Sequence, residues 1–298
     1  MKTEQFSIPF FSIIMPVYNR EDFLRESVYT VLNQSFKNFE LICIDDGSTD
    51  GSLPIIEEHA KADKRIKIIR QENYGRCIAR NAGLNAAVGN WICFLDSDDG
   101  YLQNHLLEIK TLIERNPSYK AFATEQIIGN KLKEYKQKKF RDDECVVLLN
   151  DFLTSNPVSL NQFCYSRIAH PNIRFPNMNI LNSEDLLFMR MFSTKEKILK
   201  VNLITNYVNE HVGRSVNQST ASEYVKWHRF AADYFIKNFL KKKSDISKIQ
   251  SFTNLLLSNV FLSNRNKTDG LKFFFEALKY PSSITNLLFY KAIIKLIF

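Results

Sequence analysis

Trp91-Ile92-Cys93-Phe94-Leu95-Asp96-Ser97-Asp98-Asp99 runs five apolar residues straight into three acids within four positions. Bounded by Gly89-Asn90 and Gly100, so short and apolar a run reads as a strand buried on both faces. Unpaired carboxylates are too costly to bury. The acids are therefore expected where the strand leaves its sheet, the edge at which open α/β sheets bind ligands. A second reading makes Asp98 or Asp99 the N-cap of a helix starting at Tyr101. The flanking sequence decides between the two.

Upstream, three more apolar runs alternate with helical patterns. Phe11–Tyr18 reads as a first strand ending at Asn19, with Pro16 tolerated near the strand end. Phe23, Leu24, Val28, Val31 and Leu32 then recur at helical spacing. Phe39–Ile44 is a second buried strand and ends at Asp45-Asp46-Gly47-Ser48. A helix over Leu53–Ala62 follows, with Ser52 as its expected N-cap. Ile66–Ile69 is a third strand, Tyr74-Gly75 a turn, and Ile78–Val88 a helix of small residues. Strands alternating with helices imply a doubly wound, mostly parallel sheet. Its polar strand ends (Tyr18-Asn19, Asp45-Asp46, Asn73 and Asp96-Ser97-Asp98) then share one edge, which favours a functional site over a helix cap.

No G-x-G-x-x-G follows the first strand and no P-loop sequence is present, which argues against dinucleotide oxidoreductase and P-loop ATPase chemistry. Converging acids suit a hard divalent cation that holds phosphate oxygens. The five cysteines, Cys43, Cys77, Cys93, Cys145 and Cys164, form no CxxC pair and no metal spacing. This scatter suggests a reducing compartment. The N-terminus lacks the pattern of a signal peptide, and no run approaches the ~20 apolar residues of a spanning helix.

Beyond Pro117, Lys120–Ile128 and Ile198–Tyr207 resemble strands, Val146–Leu153 a short helix or strand, and Lys131–Asp143 an exposed loop or lid. Glu184-Asp185 opens an apolar helix, where acids complement the helix dipole. His211 sits in a loop with Gly213, Arg214 and Ser215, a setting suited to an anion or a metal. From about Ala221 helical stripes take over. The chain of 298 residues carries a formal charge of +8, and residues 221–298 hold all of that excess, with 13 Lys/Arg against 5 Asp/Glu. Solvated lysines on a helical appendage would explain this; a basic amphipathic surface on anionic lipid explains it together with the aromatic residues.

Ser12-Ile-Ile-Met-Pro-Val-Tyr-Asn19, Asp45-Asp-Gly-Ser-Thr-Asp50, Ala79-Arg-Asn81 and Asp96-Ser-Asp-Asp99, followed by Glu184-Asp185 and His211-x-Gly-Arg-Ser215, closely resemble glycosyltransferase family 2 over about residues 10–218. The resemblance implies an α/β GT-A fold, a Rossmann-like, mostly parallel central sheet flanked by helices. Residues 1–220 would form the transferase domain, with a nucleotide-binding half at about 10–117 and an acceptor half at about 118–220. Residues 221–298 would be a basic, aromatic-rich helical extension.

It further implies that Pro16, Tyr18 and Asn19 line the nucleotide pocket, that Asp46 bonds the base and that Arg80 supports the nucleotide or its diphosphate. Asp96 and Asp98 would be the DxD acids, Asp96 towards ribose and Asp98 towards Mn²⁺ or Mg²⁺. His211 would complete the metal or diphosphate site, Arg214 would neutralise a phosphate oxygen, and Asp185 would be the general base. Asp99 is left as a cap or supporting acid. Gly100 suggests a loose turn after the acids.

The implied reaction is inverting transfer of a single sugar from a nucleoside diphosphate sugar, with uridine the expected base, to a hydroxyl of a glycan or lipid-linked acceptor. Surface polysaccharide synthesis on the cytoplasmic side of a membrane is the expected setting, and no nucleic-acid partner is expected. The Q-x-x-R-W element of processive synthases is missing. A catalytically silent nucleotide-sugar-binding scaffold is the alternative, disfavoured because it need keep neither Asp98 nor Asp185. A sugar-phosphate nucleotidyltransferase would want a Gly-rich loop where this chain has Asn19-Arg20-Glu21-Asp22.

Overall fold

The computed structural model describes residues 8–129, 144–213 and 220–297. The expected exposed loop or lid at Lys131–Asp143, and Arg214, expected to neutralise a phosphate oxygen, lie outside the described residues. Two compact units emerge, and they do not follow chain order. One comprises Met1–Val147, Val158–Ile180 and Glu196–His211; the other comprises Leu148–Pro157, Leu181–Lys195 and Val212–Phe298.

The first unit holds the sheet. Strands β1 (Phe11–Val17), β2 (Phe39–Asp46), β3 (Ile66–Gln71) and β4 (Trp91–Phe94) alternate with α1 (Glu21–Leu32), α2 (Ser52–Ala62) and α3 (Arg76–Ala86). The four strands are parallel in the order β3-β2-β1-β4. The order reverses at β1, so the crevice where such sheets take ligands opens between the carboxyl ends of β1 and β4. Strand alternation turns Ile13, Met15, Leu41 and Cys43 towards Leu24, Val28 and Val31 of α1, all of them buried. Ile14 and Ile44 face the other way, against α3. There a Cβ on Gly83 would come within 2.7 Å of Ile14 and 2.8 Å of Ile44. The small-residue helix is small because it lies directly on the sheet. Burying each such aliphatic side chain contributes about 1.5–3 kcal/mol.

Past β4 the sheet becomes mixed. β8 (Phe163–Ser166) pairs antiparallel with β4 and with β6 (Ala121–Ile128), and β9 (Ile198–Val208) runs parallel to β6. β9 also takes β5 (Gly100–Tyr101) and β7 (Glu144–Val147) as antiparallel partners. The expected helix from Tyr101 is corrected here. Gly100 and Tyr101 pair with β9 as a short strand, the Tyr101 N–H donates to Thr30 Oγ1 at 3.2 Å, and α4 (His105–Arg115) starts four residues later with Asn104 as N-cap. Neither Asp98 nor Asp99 caps it. Ser52 is likewise inside α2, whose N-cap is Gly51; its hydroxyl instead accepts the Arg20 N–H at 2.7 Å.

The second unit is helical: α5 (Leu149–Thr154), α6 (Glu184–Ser193), α7 (Ala221–Phe239), α8 (Lys243–Ser263), α9 (Lys267–Leu278) and α10 (Leu287–Ile297). Helix α7 opens with a capping box, Thr220 Oγ1 accepting from Glu223 N at 3.2 Å and Thr220 N donating to Glu223 Oε2 at 2.9 Å. Leu255, Leu262, Phe274, Ala277 and Ala292 form its main core. Arg190 is fully enclosed, with Nε donating to the Phe152 carbonyl at 2.9 Å and its guanidinium 5.4 Å from the centre of the Phe252 ring. Burial lowers its pKa to about 9.

Each unit holds a histidine whose pKa is lowered by removal from water, His105 buried and His228 half-buried. His105 stacks on Tyr101 at 3.8 Å, and burial pulls its pKa down to about 3. His228 stacks on Tyr224 at 4.0 Å, and burial pulls it down to about 4. In the unfolded chain both titrate near 6.5. Between about pH 6.5 and 4 the unfolded state therefore binds protons that the folded state refuses. Stability is fully present above pH 6.5 and is lost on acidification, by up to ~1.4 kcal/mol per pH unit for each histidine. Urea midpoints should fall from pH 7 to pH 4.5, and His105→Asn or His228→Gln should each flatten that fall. Unchanged slopes in both variants would contradict it.

Candidate functional site

The crevice begins where β1 stops pairing with β4. That pairing ends at Ile14 opposite Phe94, so Pro16 lies past it and its missing N–H interrupts no ladder bond. Tyr18 then stands 43% exposed and Asn19 turns the chain with φ +51°, a left-handed conformation that asparagine tolerates. Asn19 fixes the neighbouring loop: its Oδ1 accepts Thr49 N–H at 2.8 Å and its N–H donates to Ser48 Oγ at 3.1 Å.

Asp46, at the end of β2, is a loop organiser as found. Oδ1 accepts from Gln71 Nε2 at 2.6 Å and Tyr74 N at 3.0 Å, and Oδ2 accepts from Gly75 N at 2.9 Å. Gly75 has φ +89°, and a Cβ there would lie 2.2 Å from Asn179 Oδ1, so the turn requires glycine. Asp45, beside it, accepts Ser48 N–H at 3.3 Å.

The three acids after β4 have three different environments. Asp96 is 43% exposed and accepts from Arg80 Nη2 at 2.8 Å; the Arg80 side chain is only 3% exposed, held under the sheet edge beside the Phe175 ring. Asp98 Oδ2 receives two groups at once, Arg20 Nε at 3.2 Å and His211 Nε2 at 3.1 Å. His211 is in turn stacked on Phe23 at 4.0 Å between ring centres. Asp99 is buried and acts as a brace: Asn161 Nδ2 donates to it at 2.6 Å and Asn209 N at 2.9 Å. Asn209 Nδ2 reaches back to the Asp98 carbonyl at 2.7 Å, and Asn161 Oδ1 accepts the Asp96 N–H at 3.0 Å. Asp99 thus holds the backbone on which Asp96 and Asp98 are presented.

Gly100 makes this turn tight rather than loose, which corrects the expectation. A Cβ there would lie 2.3 Å from Cζ and Oη of Tyr207, whose hydroxyl donates to Glu26 Oε1 at 2.9 Å. Gly100→Ala should cost about 1–3 kcal/mol by overpacking. Thermal denaturation reads this directly; an unchanged melting temperature would mean that the Tyr207 ring moves aside freely.

Among the described residues no group of three or more His, Cys, Asp or Glu could hold a metal by itself. One carboxylate and one imidazole, Asp98 and His211, nevertheless suit Mg²⁺ or Mn²⁺. Such ions keep waters and take the oxygens of a bound diphosphate as their remaining ligands. Arg20 Nε lies 3.2 Å from the same Asp98 oxygen as His211, so it would have to turn away, towards phosphate for instance, for Asp98 to hold a divalent ion.

The structure therefore brings Arg80, Asp96, Asp98 and His211 to the edge that also carries Pro16, Tyr18, Asn19 and Asp46. Arg20 and Phe23 join them unannounced by the sequence, where Phe23 reads only as part of a helical stripe and Arg20 only as part of a loop without glycine. Asn161 and Asn209 had no local signal at all.

Asp185 belongs to the second unit. It is half-buried in the first turn of α6, where its Oδ1 accepts the Leu186 N–H at 2.7 Å. Ser183 before it takes the left-handed conformation at φ +70°, a strain that persists only where surroundings enforce it. Burial and then the Asp185 charge push the Tyr224 hydroxyl up to about 12, so a phenol stays protonated beside this carboxylate.

The profile of glycosyl transferase family 2 matches residues 12–176. TuaG of Bacillus subtilis (strain 168), a glycosyltransferase provisionally named for teichuronic acid biosynthesis, is 30% identical over 76% of this chain and 87% of its own length. The chain spans less than half the length of the first two curated relatives it matches. Among solved structures, S. aureus TarS 1-349 in complex with UDP-GlcNAc superposes with a TM-score of 0.66 at 22% identity, covering 96% of this chain and 87% of that one. The mannosyltransferase PcManGT from Pyrobaculum calidifontis, in complex with GDP-Man and Mn²⁺, superposes with a TM-score of 0.61 at 13% identity, covering 98% and 87%. At these identities the two structures establish the fold.

Proposed function

Because this chain belongs to glycosyl transferase family 2, we propose that it is an inverting enzyme that moves a single sugar from a nucleoside diphosphate sugar to a hydroxyl of a glycan or lipid-linked acceptor. The observation that carries the reading is the convergence of Arg20, Arg80, Asp96, Asp98 and His211 at the carboxyl ends of β1 and β4. Two arginines and a histidine among acids suit a diphosphate better than a neutral ligand, because each carboxylate already has a cationic partner that can turn to phosphate.

In this reading Tyr18, Pro16 and Asn19 line the base pocket with the Asp45-Asp46 loop, Asp96 faces the ribose, and Arg80 steadies Asp96 or the diphosphate. Asp98 and His211 would hold Mg²⁺ or Mn²⁺, which would neutralise the charge of the departing diphosphate. Arg214 is assigned a phosphate oxygen. Asp185 takes the proton of the acceptor hydroxyl as its oxygen bonds to the anomeric carbon and the carbon–oxygen bond to phosphate breaks. The electron pair leaves with the diphosphate, which needs no proton, so one carboxylate base suffices where glycosidases use two.

A UDP-sugar is the proposed donor, and surface polysaccharide synthesis at the cytoplasmic face of a membrane the proposed setting. Among the described residues no helix is long and apolar enough to cross a membrane. A thermal-shift screen of UDP, GDP and their sugars, with and without Mn²⁺, tests the donor. A ligand bound only by the folded state at 100 times its Kd should add about 2.7 kcal/mol of stability. No shift with any nucleotide would overturn the reading.

A further inference from the structure

Six large apolar side chains stand out of the second unit between residues 275 and 294. They are Phe275 and Leu278 on α9, Ile284 in the connection, and Leu287, Tyr290 and Ile294 on α10, each between 41% and 67% exposed. On α10 the outward residues Leu287, Tyr290, Lys291 and Ile294 fall at i, i+3, i+4 and i+7, one stripe of a helix. The opposite stripe, with Leu288, Phe289, Ala292 and Ile293, packs into the core against Leu255 and Phe274. Towards its C-terminal end α9 turns Lys272, Phe275 and Leu278 outward, with Lys279 exposed at its C-cap. The two helices are clamped together by Phe274 stacked on Phe289 at 5.5 Å. Helix α10 is therefore apolar on both sides, although one side has nothing of the described unit to pack on.

Two properties select the occupant. The first is charge. Lys272, Lys279 and Lys291 are exposed within the apolar surface, and Glu276, the acid on this face, is paired with Lys279 at 2.7 Å. A second copy on the same face would bring two net-positive patches together, an unfavourable juxtaposition. The second is length. With 11 residues, α10 extends about 16 Å, roughly half of the ~30 Å hydrocarbon core. It can lie in a bilayer interface but cannot cross. Aromatic and aliphatic side chains at acyl-chain depth, with lysines at headgroup level, are the arrangement of an interfacial helix.

We propose that the outer face of α9 and α10 is a docking surface for an anionic lipid bilayer. The proposal rests on the transferase reading only for its biological reason, an acceptor at a membrane; the surface itself is a property of the second unit.

The test is flotation of the full chain with vesicles of phosphatidylcholine mixed with phosphatidylglycerol, against vesicles of phosphatidylcholine alone. The chain should float with the anionic vesicles and much less with the neutral ones. Two triple variants should each lower partitioning at least about tenfold: Leu287→Ser with Tyr290→Ser and Ile294→Ser, and Lys272→Gln with Lys279→Gln and Lys291→Gln. The lysine variant removes no core contact and carries the test if the apolar one fails to fold. Failure of the unmodified chain to float with anionic vesicles would overturn the proposal. So would equal flotation of the lysine variant, or a concentration-dependent dimer that the same substitutions dissolve. The UDP thermal shift with Mn²⁺ is read on the same samples. Flotation without a nucleotide shift would refute the donor reading alone, and a shift without flotation would refute the docking surface alone.

Discussion

Asp98→Asn should lower sugar transfer by about 10³-fold or more and abolish the Mn²⁺-dependent part of donor binding. Asp98 Oδ2 is the point on which Arg20 Nε and His211 Nε2 both converge, at 3.2 and 3.1 Å. An amide of the same shape keeps the volume but removes the charge. It leaves the two cationic or hydrogen-donating partners facing a neutral group and removes the ligand that would share a divalent ion with a diphosphate. A metal supplies several kcal/mol to a reaction in which charge develops on a phosphate oxygen, and each 1.36 kcal/mol is tenfold in rate. The fold should survive, because the brace of this turn is Asp99, held by Asn161 and Asn209. The check is donor turnover together with a thermal melt. Full turnover in a folded Asp98→Asn variant would remove the metal from the reading.

Asp185→Asn should lower transfer by about 10² to 10⁴-fold, the range for loss of a general base. UDP binding with Mn²⁺ should stay within about twofold, because an interaction made only in the transition state changes the rate and spares ground-state affinity. The side chain is half-buried at the start of α6, and the pKa of Tyr224 beside it is raised to about 12. Glu184, its neighbour, is buried. A large loss in nucleotide affinity would assign Asp185 to donor binding, and unchanged transfer would remove it from the chemistry.

What the sequence disclosed depended on how local the cause was. Strands β1 to β4 are legible because each is a short apolar run ending in polar residues, and a parallel sheet must bring those ends to one edge. Asp96 and Asp98 follow from that edge, whereas Arg80, inside α3, is reached only through the family resemblance of Ala79-Arg-Asn81. β8 is not legible: Phe163–Ser166 has no flanking turn signal, and it is a strand because β4 and β6 leave it a slot between them. Gly100 misled for the same reason. Its neighbour is Tyr207, brought over it only when β5 pairs with β9. Arg20 reads only as a loop residue until Asp98 is folded against it. The division at residue 220 followed the change in charge and periodicity. The compact units instead follow packing, which places α6, with Asp185, in the unit of the later helices.

Titration calorimetry of the full chain with UDP, once with Mn²⁺ and once with chelator, for the unmodified protein and for Asp98→Asn, is the most direct test of a nucleotide-diphosphate site at the β1/β4 edge. UDP should bind the unmodified protein with Mn²⁺ and at least about tenfold more weakly with chelator, and Asp98→Asn should show only the weak binding under both conditions. Equal affinity in all four titrations, or no binding in any, would contradict it.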